Sequence, residues 1–372
     1  MIIGLDISQI VYKGTGVARF TEGLVHAILS YDTKNTWTFV FFGLRQQPEP
    51  ELVQHIKESR HTLITRSIPS SVLRLLHNTI HRQTNILTFA GIPTASFDWF
   101  ITSDWTEPML PCKKATIVHD LVFKRYPQTV HRNIRDTQEE RLGWVARESK
   151  LIFTDSEATA ADLKQHYIVP SEKIVINYPG NNFESFIPAH VVSFEELQEN
   201  HAIPEKYILT VGKLEPRKNI ARLLEAYAHI ETDTELVIVG MDGWGDMPKT
   251  NDKRVHFAGY VSDEELVTLY KHATCFAMPS LYEGFGYPVI EAMKYGCPVL
   301  TSNTSSLLEI AGDAAVLCDS EKVDSIREGL QKILTDTQLQ YKLRTKGHEQ
   351  AAKYSWERYY NTLVESLHKN NV

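Results

Sequence analysis

The chain has 372 residues, of which 42% are hydrophobic and 23% are charged, and its formal net charge is −7. Its length exceeds that of one ordinary core and predicts two domains, and its acidic balance argues against a nucleic-acid-binding protein. No apolar run approaches the roughly 18 residues that a membrane span needs. The start, MIIGLDISQI, has no basic region, so no signal peptide is predicted.

The cysteines are scattered and form no CxxC motif or cluster with histidines. They are Cys112, Cys275, Cys297 and Cys318. This spacing predicts neither a disulfide framework nor a metal site, and it fits a reducing cytoplasm.

The first half of the chain alternates short apolar runs with helical stretches. The strand candidates are MIIGLDI, TWTFVFFG, FDWFITS, KATIVHD, SKLIFTDS and EKIVINYPG, and the helices include 19–29 and 132–147. Strands that alternate with helices in this way predict a parallel, doubly wound α/β sheet.

A second round of the same pattern follows a join at 181–204. Its strand candidates are KYILTVGKLE, TELVIVGMDG, RVHFAGYV, ATCFAMPS, CPVLTSN and AAVLCD, with helices at 219–229, 263–272 and 288–295. The stretch 320–368 is mostly helical. We therefore expect two Rossmann-like domains that face each other across a cleft, with ligands beyond the carboxyl ends of the strands.

The charge is unevenly distributed along the first domain. Residues 66–150 hold 12 Lys and Arg against 8 Asp and Glu, a local excess of +4. Within them, SVLRLLHNTIHRQTNIL combines apolar residues at helical spacing with Arg74, His77, His81 and Arg82. This segment is either an amphipathic helix with a solvated basic face or a surface for an anionic lipid or acceptor.

The turn after the first strand, YKGTGVAR, contains Gly14 and Gly16. Glycines allow the backbone to approach a ligand, and the following helix offers its N-terminus. The alternative is a tight turn without a ligand. The spacing is not GxGxxG, which argues against a dinucleotide fold of the dehydrogenase kind.

The stretch VGKLEPRKN places cations at the end of a predicted strand. Gly212 ends the strand, Lys213, Arg217 and Lys218 follow, and Asn219 is a candidate helix N-cap. Cations beside a helix start suit a phosphate or a diphosphate. A solvated basic loop is the alternative.

The stretch EGFGYPVIE carries two acids around a loop. Glu283, Gly284, Phe285 and Gly286 form the loop, and Glu291 is expected in the first turn of the helix that follows. Acids accept hydrogen bonds from sugar hydroxyls. For Glu291 the helix dipole is an alternative explanation, whereas Glu283 has no such structural reason.

In TIVHDL, His119 lies at the end of an apolar strand of the first domain. A histidine there can donate to or accept from a substrate hydroxyl. A structural histidine bonded within its loop is the alternative.

Together these stretches resemble the retaining family 4 glycosyltransferases of the GT-B fold. The resemblance covers most of the chain and rests on VGKLEPRKN, LVIVG, VHFAGYVSDEELVTLYKHA and YEGFGYPVIEAMKYGCPVLTSN, in this order, with GTGVAR, VHDLVFKRYP and TDSEATAADLKQHYIVPSEKIVINYPG before them. The most similar subgroup is the mannosyltransferases of bacterial polysaccharide and O-antigen assembly.

The resemblance implies roles in the second domain. Glu283 lies near the hydroxyls of the donor sugar, Glu291 binds the ribose, and Arg217 with Lys218 clamps the diphosphate. The loop around Gly284, with the amides of Phe285 and Gly286, lies near the sugar and phosphate, and Tyr260 with Val261 lies beside the base. Gly212 and Lys213 complete the donor site, although many relatives have arginine where this chain has Lys213, so which cation contacts phosphate stays open.

In the first domain, the resemblance implies that His119 reaches the sugar and that Gly14 and Gly16 approach the diphosphate or the acceptor. It implies domain boundaries at 1–187, 188–354 and 355–372, the last being a helix that crosses back onto the first domain. Closure of the cleft during turnover is expected.

The implied reaction is transfer of a hexose, with retention, from a nucleotide diphosphate sugar to a hydroxyl of a glycan or a lipid-linked acceptor. GDP-mannose is the leading donor and a UDP-sugar the alternative. No metal and no other cofactor is expected. A sugar phosphorylase, an epimerase and a non-catalytic nucleotide-sugar-binding protein are the rival interpretations. A cytoplasmic location, with peripheral contact to the inner face of the membrane through the basic first domain, is the accompanying expectation.

Overall fold

The computed structural model describes residues 1–44, 46–80, 86–102, 104–183, 192–241, 243 and 249–371. The chain divides into two compact units. Met1–Gly180 and Ser355–Val372 form the first unit, and Asn181–Tyr354 form the second unit. The predicted boundary between 187 and 188 lies outside the described residues.

The first unit is built on a parallel sheet of seven strands with the order β3-β2-β1-β4-β5-β6-β7. Its strands are β1 (Ile2–Asp6), β2 (Thr36–Phe42), β3 (Thr62–Arg66), β4 (Trp99–Thr102), β5 (Lys113–Val118), β6 (Leu151–Thr154) and β7 (Ile174–Ile176). The strand order reverses between β1 and β4, which is where ligands bind in open parallel sheets.

Helices connect these strands. They are α1 (Gly16–Tyr31), α2 (Pro50–Glu58), α3 (Ser70–Arg74), α4 (Ile86–Phe89), α5 (Val122–Arg125), α6 (Arg132–Glu148) and α7 (Glu157–His166), with a π-helix at Leu75–Ile80. Thr15 caps α1 by accepting a hydrogen bond from the Ala18 amide at 3.2 Å. Ser156 caps α7 in the same way through the Thr159 amide.

The second unit repeats this architecture with six parallel strands in the order β10-β9-β8-β11-β12-β13. The strands are β8 (Tyr207–Val211), β9 (Glu235–Val239), β10 (Val255–Gly259), β11 (Cys275–Met278), β12 (Val299–Ser302) and β13 (Ala315–Cys318). The helices are α8 (Phe194–His201), α9 (Ile220–Ala228), α10 (Asp263–His272), α11 (Tyr287–Lys294), α12 (Ser305–Ala311), α13 (Val323–Thr335) and α14 (Thr337–Ala351). Here the order reverses between β8 and β11.

The last helix, α15 (Trp356–Lys369), belongs to the first unit. The rings of Trp356 and Tyr359 both lie edge-on to Phe20 of α1, with centroid distances of 5.6 and 5.3 Å. A side chain at Gly23 or Gly180 would overlap the Trp356 ring, so glycine allows this close packing.

The predicted α/β class with two doubly wound parallel sheets is confirmed. Every strand named from the sequence has a counterpart, but β3 was not predicted. Its TLITR is short and lies at the edge of the sheet with its side chains partly exposed, so it lacks the apolar run of a central strand.

The basic segment at 71–87 is not the simple amphipathic helix expected from its spacing. Among its described residues, α3 passes into a π-helix, and His77, expected on a solvated basic face, is only 4% exposed. Arg74 pairs with Glu140 at 3.5 Å. His81 and Arg82 lie outside the described residues. Among the helices of the described ranges, none has both the length and the apolarity for a membrane crossing.

Candidate functional site

Two loops of the second unit meet where its strand order reverses. One follows β8 and contains Arg217 and Lys218, and the other follows β11 and contains Glu283. The backbone joins them, since the Leu281 amide donates to the Arg217 carbonyl at 2.9 Å. Because β8 and β11 are neighbours in the sheet, their carboxyl ends bring together side chains that lie 65 residues apart in sequence.

Glu283 accepts from two cations at this point. Its Oε1 lies 2.8 Å from Lys218 Nζ, and its Oε2 forms an ion pair with Arg217 Nη1. The Arg217 guanidinium also donates to the Tyr282 carbonyl at 2.9 Å. The guanidinium is therefore fixed by the same loop that carries the acid.

The two cations determine the ionisation of Glu283, which is 7% exposed. Burial favours the protonated form, but the charges of Arg217 and Lys218 outweigh burial and lower the pKa of Glu283 to about 2. The acid is therefore ionised at neutral pH, and it can accept hydrogen bonds but not donate them.

Two serines of helix α12 hold the backbone of the Glu283 loop. The Glu283 amide donates to Ser305 Oγ at 3.1 Å. Ser306 Oγ donates to the carbonyls of Glu283 and Phe285 at 2.8 and 2.9 Å. With these bonds the loop is fixed before any ligand arrives.

Asn219 has a different role from the predicted N-cap. It occupies the capping position before α9, but its φ of 62° is left-handed and its side chain makes no cap hydrogen bond. Its Nδ2 instead donates to the carbonyls of Pro279 and Ser320 at 2.9 and 2.7 Å. The residue therefore ties the β8 loop to the chain after β11 and after β13.

Two glycines of the predicted site are required by the backbone. Gly212 has a φ of +149°. Its carbonyl oxygen also packs against Gly240, and a Cβ on Gly240 would overlap that oxygen. Gly286 has a φ of +107°, and a Cβ there would lie 2.7 Å from Leu307 Cδ2. Both positions favour glycine because other residues rarely adopt these angles.

Glu291 lies in the second turn of α11 and not in the first, because the helix begins at Tyr287. The helix-dipole explanation for this acid is therefore wrong, since the effect falls off within the first turn. The side chain is 2% exposed, and it accepts a hydrogen bond from Tyr270 Oη at 3.1 Å.

The other predicted donor residues of this unit lie around the same loops. Lys213 and Gly284 lie in the turns after β8 and β11, and the Phe285 ring is buried against Tyr354 at 5.5 Å. After β10, Tyr260 is 67% exposed, whereas Val261 is buried. The two neighbours predicted beside the base thus differ sharply in their access to solvent.

In the first unit, the predicted residues lie after β1 and β5. Gly14 has a φ of 73°, which requires glycine or a strained residue, and Gly16 is the first residue of α1. His119 follows β5 directly. Within the second unit, the structure brings together Arg217, Lys218 and Glu283.

His119 forms a buried pair with Asp155, an acid that the sequence analysis missed. Its Nδ1 lies 2.7 Å from Asp155 Oδ2. Burial lowers the pKa of His119, but the Asp155 carboxylate outweighs burial and raises that pKa to about 9. The side chain of His119 is therefore bonded to a residue after the neighbouring strand β6, whereas its backbone carbonyl accepts from Thr159 Oγ1 of α7 at 3.2 Å.

A signal for Asp155 was available in the sequence. It follows the strand LIFT, as His119 follows KKATIV, and polar residues that follow neighbouring parallel strands meet at one edge of the sheet. In the described part of the chain, no group of three or more His, Cys, Asp or Glu side chains could hold a metal ion. The absence of a metal requirement stays a prediction.

Comparison with protein families matches residues 193–353 to the family described as "Glycosyl transferases group 1". O-antigen chain mannosyltransferase B of Escherichia coli is 31% identical over 256 residues, which are 66% of this chain and 67% of that protein. The serotype-specific mannosyltransferase WbdA of Escherichia coli is 27% identical over 275 residues, which are 69% of this chain but 34% of that protein. This chain therefore spans about a third of WbdA.

Solved structures agree on the fold. Sucrose-phosphate synthase from Thermosynechococcus elongatus superposes with a TM-score of 0.73 at 18% identity, covering 99% of this chain and 98% of that one. WaaG, a glycosyltransferase involved in lipopolysaccharide biosynthesis, gives a TM-score of 0.66 at 17% identity, covering 99% of both chains. The fold is GT-B, and the chain belongs to the group 1 glycosyltransferases.

Proposed function

We propose that the protein transfers mannose from GDP-mannose to a hydroxyl group of a glycan or a lipid-linked acceptor, with retention of configuration at the anomeric carbon. The observation that carries the proposal is the convergence of Arg217 and Lys218 on Glu283 where the second sheet reverses its order. This edge of the sheet is the usual ligand site of such folds.

The arrangement suits a sugar linked to a diphosphate. Two cations beside an ionised acid offer partners for phosphate oxygens on one side and for sugar hydroxyls on the other. When the donor binds, its diphosphate competes with Glu283 for Arg217 and Lys218. The carboxylate then gains the freedom to accept from the sugar. Glu291, near the same loop, is proposed as the ribose ligand.

In the proposed reaction, the bond between the anomeric carbon and the diphosphate oxygen breaks, and its electron pair stays on the diphosphate. The acceptor oxygen bonds to the same face of that carbon, and its proton passes to the departing phosphate. Arg217 and Lys218 stabilise the charge that develops on the leaving group. The positive charge comes from side chains, so we expect that EDTA leaves the rate unchanged.

GDP-mannose is proposed because two of the relatives are mannosyltransferases by name. A UDP-sugar remains the alternative, since HepE from Anabaena, which is 14% identical and was solved in complex with UDP-glucose, has the same fold with a TM-score of 0.69. The side chains of Tyr260 and Val261 are proposed to lie beside the base.

The test is a transfer assay with GDP-mannose, UDP-glucose and ADP-glucose, with mixed bacterial glycolipids and oligosaccharides as acceptors. We expect transfer from GDP-mannose and an NMR spectrum of the product with the donor's anomeric configuration. An inverted linkage would end the retaining proposal. Binding of donor without transfer to any acceptor would favour a nucleotide-sugar-binding protein instead.

Peripheral contact with a membrane is proposed for the first unit. The support is its local positive charge together with exposed Val72 and Leu75 beside Arg74. Sedimentation with vesicles of phosphatidylglycerol should pull down the protein, whereas vesicles of phosphatidylcholine should leave it in solution. Equal recovery from both would contradict the contact.

A further inference from the structure

The donor site does not explain the buried pair of His119 and Asp155 in the first unit. The two residues follow β5 and β6, whose last residues, Val118 and Thr154, are partners in the sheet. Asp155 is buried, and its second oxygen, Oδ1, has no hydrogen-bond partner among the described residues. Buried carboxylate oxygens normally accept hydrogen bonds, so a buried carboxylate with one unbonded oxygen calls for a functional explanation.

We propose that Asp155 is a positioning residue, which holds His119 as an imidazolium and leaves its Nε2–H to donate a hydrogen bond to an oxygen atom of the substrate. This inference rests on the glycosyl transfer proposed above. It goes beyond that proposal because it assigns a role to Asp155 and decides the direction of the hydrogen bond from His119.

The geometry fixes the ring of His119. Its Nδ1 is bonded to Asp155 Oδ2 at 2.7 Å, so Nε2 is the nitrogen that remains for a substrate atom. The edge of the ring packs on Phe20, with centroids 4.6 Å apart and an angle of 70° between the planes. The hydrogen bond to Asp155 and the packing on Phe20 together hold the ring in this orientation, so that Nε2 and not Nδ1 is available to the substrate.

The charges around His119 favour its protonated form. Asp155 lies after β6, Asp104 after β4, and Asp6 at the end of β1 shares a cavity with His119, while Arg141 on α6 carries the opposing charge. Arg141 is itself bonded to Asp104 at 3.1 Å. Tyr359 of α15 lies near Asp155, and burial raises the pKa of its hydroxyl above the ordinary value for tyrosine, so Tyr359 stays neutral. Two carboxylates therefore act on the imidazole against one guanidinium, and a third carboxylate, that of Asp6, lines the same cavity.

The cavity shows what kind of atom the site takes. Its volume is about 20 Å³, and its polar lining residues are His119, Asp6, Asp104, Gln9, Thr21 and Thr102, with apolar side chains between them. Gln9 is 2% exposed, and its Nε2 has no hydrogen-bond partner within the described ranges. The lining combines the N–H donors of His119 and Gln9 with the carboxylates of Asp6 and Asp104 around a space for about one water. A sugar hydroxyl, which both accepts and donates, suits all four groups, whereas a phosphate oxygen would use the two donors only.

The first test is an NMR titration of the full chain with ¹³C-labelled histidine, in which His119 is assigned by its loss in His119→Gln. In the native protein we expect the His119 pKa near 9. In Asp155→Asn it should fall to about 6.5 or lower. A native pKa at or below 6.5 overturns the proposal even if the variant does not fold.

The second test is the pH profile of transfer. In the native protein the rate should decline only as the pH rises through about 9. In Asp155→Asn, kcat should be about 20-fold lower at pH 8 than at pH 6, the ratio for a donor with a pKa near 6.5. If the His119 pKa shifts but the profile does not, His119 has no role in the reaction, and the transfer activity itself still stands.

Asp162→Asn is the matched control. Asp162 is also a buried acid of the first unit; it accepts from Arg125 at 2.7 Å, and it is not among the main groups that shift the pKa of His119. We expect this variant to lose stability but to keep the His119 pKa and the native pH profile. The same changes in both variants would mean that Asp155 is merely structural.

Binding of GDP identifies the oxygen atom to which His119 donates. Weaker GDP binding in Asp155→Asn indicates a phosphate oxygen, and unchanged GDP binding indicates a sugar hydroxyl.

Discussion

Glu283 shows how one side chain serves both stability and the proposed chemistry. It is buried, ionised and bonded to two cations. Removing one partner of such a cluster leaves the others buried without compensation, which costs more than the cluster contributes as a whole.

We expect Glu283→Ala to lower the transfer rate by about 100-fold, because the donor sugar loses its acceptor, and to lower the free energy of unfolding by about 3 kcal/mol. Rates with GDP-mannose and urea denaturation measure the two effects. Asp233→Asn breaks an exposed ion pair with Lys206 in the same unit and is the control. A Glu283→Ala enzyme with native rates would remove this residue from the site.

The low pKa of Glu283 makes part of the stability dependent on pH. Because its pKa is lowered from 4.5 to about 2, the ion pair contributes fully above pH 4.5 and its contribution is lost as the pH falls toward 2. The difference in unfolding free energy between the native protein and Glu283→Gln should thus be constant from pH 7 to pH 5 and shrink below pH 4. Urea denaturation at several pH values measures it, and a difference independent of pH would contradict the assignment.

At this scale the sequence predicted the cations and acids of the proposed donor site but not their partners. Glu215 is near in sequence and pairs with Arg217 at 3.5 Å, but the acid that both Arg217 and Lys218 share, Glu283, comes from another loop of the fold. The pairing of β5 with β6 likewise brings Asp155 beside His119, because Val118 and Thr154, the residues before them, are partners in the sheet. Contacts between distant segments depend on strand order, which residue patterns alone do not specify.

Asn219 is the clearest case at the scale of elements. It joins three strand ends of the second unit, and its left-handed backbone angle strains residues that have a Cβ. A residue in the capping position looks the same in sequence whether its side chain bonds to the helix or to neighbouring carbonyls. The helix start was therefore predictable, and the side-chain bonds were not.

We expect Asn219→Ala to lower the free energy of unfolding by about 2 kcal/mol, since it removes the two hydrogen bonds from Nδ2 and the one that Oδ1 accepts from Arg222, and keeps the strained backbone angle. Asn219→Gly loses the same bonds but relieves the strain, so it should cost about 1 kcal/mol less. Thermal unfolding of both variants measures the difference. Equal losses would mean that the backbone angle carries no cost.

At the scale of the whole molecule, the first unit is discontinuous in sequence. Its last segment, Ser355–Val372, follows the complete second unit. The buried residues of α15 are Trp356, Tyr359, Tyr360, Leu363 and Leu367, and its helical structure agrees with the prediction for 320–368. The repeated alternation of strands and helices made both sheets predictable. That α15 belongs to the first unit was implied by the resemblance alone.

We expect Trp356→Ala to destabilise the first unit by about 4 kcal/mol, because it empties a large site between α1 and α15. Scanning calorimetry should show a lower transition for the first unit and an unchanged one for the second. Tyr341→Ala on α14, where the side chain is 75% exposed, is the control. A lowering of both transitions by the same amount would contradict the assignment of α15 to the first unit.

The return of α15 sets the order in which the chain can fold as the ribosome makes it. Domains usually fold during synthesis from the N-terminal end onward. Here the first unit emerges early, but α1 lacks its packing partner until Trp356 and the residues after it have been translated. The second unit has all its strands by then. We therefore expect the nascent chain to complete its second unit first, while the face of α1 that packs on α15 stays exposed.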